Sequence, residues 1–177
     1  MAFTFQQPTI GLYTPVLITI SQLIGTFLSV PMLKYFEWRK MTLIGGFSLA
    51  FMDAMIGMLL YLYEQSDSTQ NQDYILLLTC ICIMIFMFTF GLSLGSCVWP
   101  YISFMMSPSG VTVASVNNWI LAGCSIIAFS FVTNAMHSPW VMMFIYMGVT
   151  FLLTIVFAVL SINIKGLSVR KVQIQLQ

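Results

Sequence analysis

Few residues in this chain could do chemistry, and most of them lie inside long apolar stretches. Asp53 sits near the middle of the apolar run 41–63. A carboxylate at that depth in a membrane helix costs roughly 2.5–3.5 kcal/mol on insertion scales, so it ordinarily faces a bundle interior or a water-filled path. Its functional reading is a proton or solute site. Its structural reading is a protonated or hydrogen-bonded carboxyl held by a neighbouring helix, since no Lys or Arg falls inside any apolar run to pair with it. Ser115, Asn117, Asn118 and Trp119 open another apolar run. Two adjacent amides carry too many donors and acceptors to face lipid, so they bond neighbouring helices or line a polar cavity. Ser93, Ser96 and Trp99 close the run before it, and a Trp at a membrane interface is ordinarily an anchor.

Other chemistries lack their residues. Cys80, Cys82, Cys97 and Cys124 all lie in apolar runs with no His beside them, which reads as buried thiols. Zinc requires four N or S ligands, and the single histidine, His137, has no nearby Asp, Glu or Cys. No metal site and no cofactor are expected. There is no nucleophile–base pair, phosphate-binding glycine loop or carboxylate pair, so an enzyme has no support. The net charge of +1 and the lack of a basic, aromatic-laced patch give no reason to expect nucleic acid as a partner.

The elements that position these residues follow from composition. Hydrophobic residues make up 59% of the chain and charged residues 6%, against about 25% charged in soluble domains. The bilayer is the expected partner of so apolar a surface. Lipid offers no hydrogen bonds, so spanning segments are helices or closed barrels, and barrel strands alternate polar and apolar over about ten residues. The apolar stretches here are longer and unbroken, which predicts an all-α integral membrane protein. A crossing needs about 20 residues, and five such spans are read at 10–33, 41–63, 74–98, 111–133 and 138–163, within one transmembrane domain that ends in a tail at 164–177. Residues 1–9 carry no Lys or Arg, so the basic start of a cleavable signal is missing. All six basic residues fall on one side: Lys34, Arg39 and Lys40 in the first loop, Lys165, Arg170 and Lys171 in the tail. Glu64, Asp67 and Asp73 fall on the other. Lys and Arg favour the cytoplasmic face, which predicts a multi-pass protein with its N-terminus extracellular or lumenal and its C-terminus cytoplasmic. Small residues four apart allow close helix approach in lipid; Ser21, Gly25 and Ser29, then Gly46, Ala50 and Ala54, then Gly91 and Gly95 predict a packed bundle.

Four segments, in order, resemble the sugar transporters of the major facilitator superfamily. Lys165, Gly166 and Ser168 match the P-E-T-K-G-x-S-L-E-E stretch after the family's last helix. Ile162, Asn163 and Ile164 replace its Pro, Glu and Thr, and Arg170 and Lys171 its acidic pair. Gly95, Trp99, Tyr101 and Ser103 match the G-P-x-P-W-x-Y-x-S stretch of the tenth helix, and Asn118-Trp119 the N-W pair of the eleventh. Arg39-Lys40 with Leu43, Ile44 and Gly45 is similar to the basic loop and helix start between the eighth and ninth. The resemblance maps the five spans onto family helices 8–12, a five-helix bundle that lacks the first half and the seventh helix.

What the resemblance implies is a carrier for a hexose or similar small solute, held between two halves near the midplane. Trp99 and Asn118 match cavity positions, Asn117 and Trp119 flank Asn118, and the four make up the expected solute site. Gly91 stands where many relatives carry a sugar-contacting Glu. Phe104 replaces the Glu of the family's S-E motif, and the Arg residues of the following loop are absent. Asp53 matches no family motif. Such a chain would need a complementary transporter half or a homo-oligomer to enclose a two-sided cavity. The competing expectation is a degenerate, non-transporting protein or a helix-interaction module, which loss of the Glu and Arg positions favours.

Overall fold

The computed structural model describes residues 8–66, 68–136 and 138–161. The tail with Lys165, Gly166 and Ser168, together with Asp67 and His137, lies outside them. The described residues form six helices and no strand: α1 Pro8–Tyr35, α2 Trp38–Gln65, α3 Thr69–Leu92, α4 Leu94–Met105, α5 Pro108–Met136 and α6 Pro139–Leu160. Five crossings are long and apolar enough to span a membrane, because α3 and α4 form a single path over Thr69–Phe104. Short connections reverse the chain between crossings, but sequence order is not packing order throughout: α1 packs chiefly on α3 rather than on α2. Pro108 and Pro139 open α5 and α6, where a missing N–H is harmless.

The third crossing differs from the unbroken 74–98 helix expected. It runs longer and is interrupted at Ser93, whose φ of −113° and ψ of −89° leave the helical region. A break within lipid must re-satisfy the carbonyls it frees. The Ser93 hydroxyl donates to the Thr89 carbonyl at 2.6 Å and the Ser96 hydroxyl to the Gly91 carbonyl at 2.5 Å. The Ser93 N–H adds bonds to the Thr89 and Phe90 carbonyls. Those two serines are thus occupied with the backbone of the break. A hydropathy window registers their small polar side chains weakly and cannot see the interruption.

α2 is the central element. Leu49, Ala50, Ile56, Leu59 and Leu60 are buried along it, against α6 on one side and α3 on the other. Its antiparallel pairing with α6 is pinned at both ends. At one end Glu64 accepts from the Ser138 hydroxyl at 3.1 Å and the Trp140 indole N–H at 2.8 Å, in the first turn of α6. At the other, Arg39 donates to the Ala158 carbonyl at 2.6 Å, in the last turn of α6, where a cation meets the negative end of the helix dipole.

Gly25, Gly46 and Gly91 of the small-residue stripes fall at helix crossings, whereas Gly95 meets Phe90 of its own crossing and lines a cavity. Gly25 and Gly91 hold α1 against α3 so closely that a Cβ on Gly25 would meet the Phe88 carbonyl, and one on Gly91 the Gln22 carbonyl. Ser29, one turn after Gly25, is 1% exposed. Gly45 receives the Ser93 side chain and Gly46 that of Thr154, so α2 packs directly on the α3–α4 break. Close packing of this kind takes the place of the hydrophobic effect in lipid. α5 is the exception: it has no buried residue and leans on α6 and α4.

Candidate functional site

The break at Ser93 and the peripheral position of α5 leave a cavity of about 500 Å³ between α1, the α3–α4 junction and α5. That lies within the ~300–1,000 Å³ usual for small-molecule sites. Trp99 from α4 and Asn117 and Asn118 from α5 line it, and α1 adds Gln22 and Thr26. Phe90, Leu94, Val98 and Leu121 supply apolar wall. Trp99 comes from α4 because Ser93 redirects the helix just ahead of it. Asn117 and Asn118 are 100° apart on α5, so both reach the same opening. Neither amide, nor that of Gln22, has a hydrogen-bond partner among the described residues. Thr26 donates its hydroxyl proton to the Gln22 carbonyl at 3.0 Å, which leaves its oxygen free to accept.

No charged residue lines the cavity. Three amides offer paired donors and acceptors, and an indole offers a flat apolar face. That set suits a neutral, polyhydroxylated solute with one apolar face. It is poorly suited to an ion, which needs a countercharge once desolvated.

The other expected site residues lie elsewhere. Trp119 does not line the cavity; it is 73% exposed on the side of α5 turned away from the bundle. One residue past Asn118 rotates a further 100°, and that rotation carries the indole outward. Asp53 is buried between α2 and α6, with a side-chain hydrogen bond to Thr150, and is not part of the cavity. A smaller space of about 180 Å³ lies between α2, α4 and α6, lined by Thr42, Thr150 and Thr154. Among the described residues no cluster of His, Cys, Asp or Glu could hold a metal ion.

Gln22 and Thr26 are cavity residues that the sequence does not announce. Their signal is present, since a Gln within a membrane span is costly. Assigning it requires knowing that α1 lies across the cavity from α5, and that follows from the Gly25–Gly91 crossing. Gly91 is covered by the Gln22–Thr26 segment of α1. At Gly91, where the resemblance leads one to expect a Glu, this chain has α1 backbone, and Gln22 contributes the nearby polar group.

The profile of the "Sugar (and other) transporter" family matches residues 3–176. No curated protein and no solved structure matches the chain. With an all-helical bundle of five membrane-length crossings and a family match along almost its full length, the chain belongs to the sugar transporter family of the major facilitator superfamily.

Proposed function

We propose that this chain is the C-terminal solute-binding portion of a sugar carrier, corresponding to family helices 8–12, and that it moves a hexose or similar neutral polyol by alternating access. The uncharged cavity that gathers Trp99, Asn117, Asn118, Gln22 and Thr26 carries this reading. Trp99 stacks on the apolar face of the ring, and the amides exchange hydrogen bonds with its hydroxyls. The cavity has one wall set in this chain, so transport requires a facing wall from a complementary transporter half or a second copy. The basic clusters at Lys34, Arg39 and Lys40 and at Lys165, Arg170 and Lys171 support a cytoplasmic C-terminus and an extracellular or lumenal N-terminus.

A second reading, a non-transporting helix-interaction module, draws support from α5, whose lack of any buried residue leaves its outward face for another membrane protein. Uptake of radiolabelled D-glucose into proteoliposomes separates the two. The carrier reading expects uptake above that of empty vesicles, lowered about tenfold by Asn118→Ala through loss of one to two solute hydrogen bonds. Equal uptake with and without protein ends the carrier claim for this chain.

A further inference from the structure

α5 carries the two cavity amides, yet alone among the described helices it has no buried residue. Apolar packing therefore does little to hold its tilt. Tyr146 of α6 grips it instead. The Tyr146 hydroxyl donates to the Ser125 carbonyl at 2.9 Å and lies 2.7 Å from the Ser125 hydroxyl. With its one proton spent on the carbonyl, the phenol oxygen accepts from Ser125 Oγ, so the two bonds are compatible. The Tyr146 ring lies parallel to that of Phe129, 6.4 Å away at 7°. Ser125 and Phe129 are one helical turn apart on the same edge of α5. Asn118 lies two turns earlier, about 10 Å along the axis. On that side α5 borders the cavity, so a small rotation at Ser125 becomes a larger displacement of the amides.

We propose that Tyr146 is a positioning residue for the solute cavity: by gripping Ser125 and Phe129 it sets the tilt of α5 and hence the separation of Asn117 and Asn118 from Trp99. This deepens the carrier reading and rests on it for its functional consequence, though the mechanical claim stands separately. Tyr146 touches no solute position itself. It acts through α5, as a pivot at one end of a lever whose other end bears the recognition groups.

The test uses the full chain in lipid nanodiscs. Spin labels go on Ile44→Cys of α2 and Val113→Cys of α5, both exposed at 65% and 61%, in a Cys124→Ser background, since the other three cysteines are buried. Tyr146→Phe keeps the ring and deletes both hydrogen bonds; Ser125→Ala deletes one and keeps the carbonyl acceptor. The expected result is a label-distance distribution that broadens in Tyr146→Phe and broadens less in Ser125→Ala. The dissociation constant for D-glucose is expected to rise about tenfold in Tyr146→Phe, the effect of misplacing one or two solute bonds. The double variant is expected to be no worse than Tyr146→Phe, because both changes sever one contact. An unchanged distance distribution in Tyr146→Phe overturns the proposal, whatever happens to glucose binding or to the unfolding midpoint. A broadened distribution in a protein that binds no D-glucose leaves the pivot standing and removes the carrier reading.

Discussion

Two tryptophans that look alike in the sequence separate cleanly by position. Trp99 lines the cavity, whereas Trp119 points away from the bundle at 73% exposure. Trp99→Leu is expected to weaken D-glucose binding about tenfold, equivalent to about 1.4 kcal/mol, and Trp119→Leu to change it by less than about twofold, measured by calorimetry in nanodiscs. The reverse ranking would sink the cavity assignment. Asp53 calls for a different argument, since it is buried against α6 and bonded to Thr150, away from the cavity. A lone buried polar group is harmed most by losing its partner and least by being replaced together with its need for one. Thr150→Val should therefore lower stability by about 1–2 kcal/mol, while Asp53→Asn, which keeps a bond to Thr150, should stay within about 0.5 kcal/mol. Unfolding midpoints in detergent measure both. If Asp53→Asn leaves the midpoint unchanged yet abolishes uptake, the structural reading of Asp53 gives way to a proton or solute role.

Helices assemble here through two kinds of contact. Backbone crossings at Gly25 and Gly91 join α1 to α3, and polar pins at Glu64 and Arg39 join α2 to α6. The crossing is the less forgiving, because a side chain at Gly25 meets the Phe88 carbonyl, which cannot rotate away. Gly25→Leu is expected to destabilise by about 2–3 kcal/mol and to widen the cavity by pushing Gln22 and Thr26 outward; thermal unfolding with D-glucose binding reads both effects. A neutral outcome would mean that α1 is held by something other than this crossing. Five crossings are legible in sequence because lipid enforces long, charge-poor segments, and the stripe through Ser21, Gly25 and Ser29 is legible because only small residues permit such approach. The interruption at Ser93 is not, since nothing forbids an unbroken helix through Leu92, Ser93 and Leu94 until Ser93 is seen lodged against Gly45. Half the cavity escapes for a related reason. Asn117 and Asn118 declare themselves as adjacent amides in an apolar run, whereas Gln22 and Thr26 acquire meaning only once α1 is known to face α5.

At the scale of the whole molecule, the balance of forces is uneven. α1, α2, α3 and α6 interlock through glycines and end pins, while α5 and the cavity face stand open. Unpartnered amides in lipid carry a cost that only water or a facing protein wall removes, so the cavity side is where water or another protein surface is expected. The same asymmetry appears in charge. Arg39 and Lys40 lie at the end of α2 that meets the last turn of α6, and Glu64 at the end that meets its first. With an odd number of crossings between them, residue 70, at the start of α3, and the basic tail are expected on opposite sides. Gln70→Cys in intact cells should therefore react with a membrane-impermeant maleimide added outside, and a tag fused after Gln177 should react only once the membrane is opened. Lys and Arg hold their side because translocating them is opposed within about 15–20 residues of a span. Replacing Lys34, Arg39 and Lys40 together by Gln should scramble the pattern, while the same change at Glu64 and Asp73 should not. Labelling of both sites from the same side would mean that one crossing does not traverse the bilayer. The α3–α4 path would be the first suspect, because its break at Ser93 offers a place for the chain to turn back.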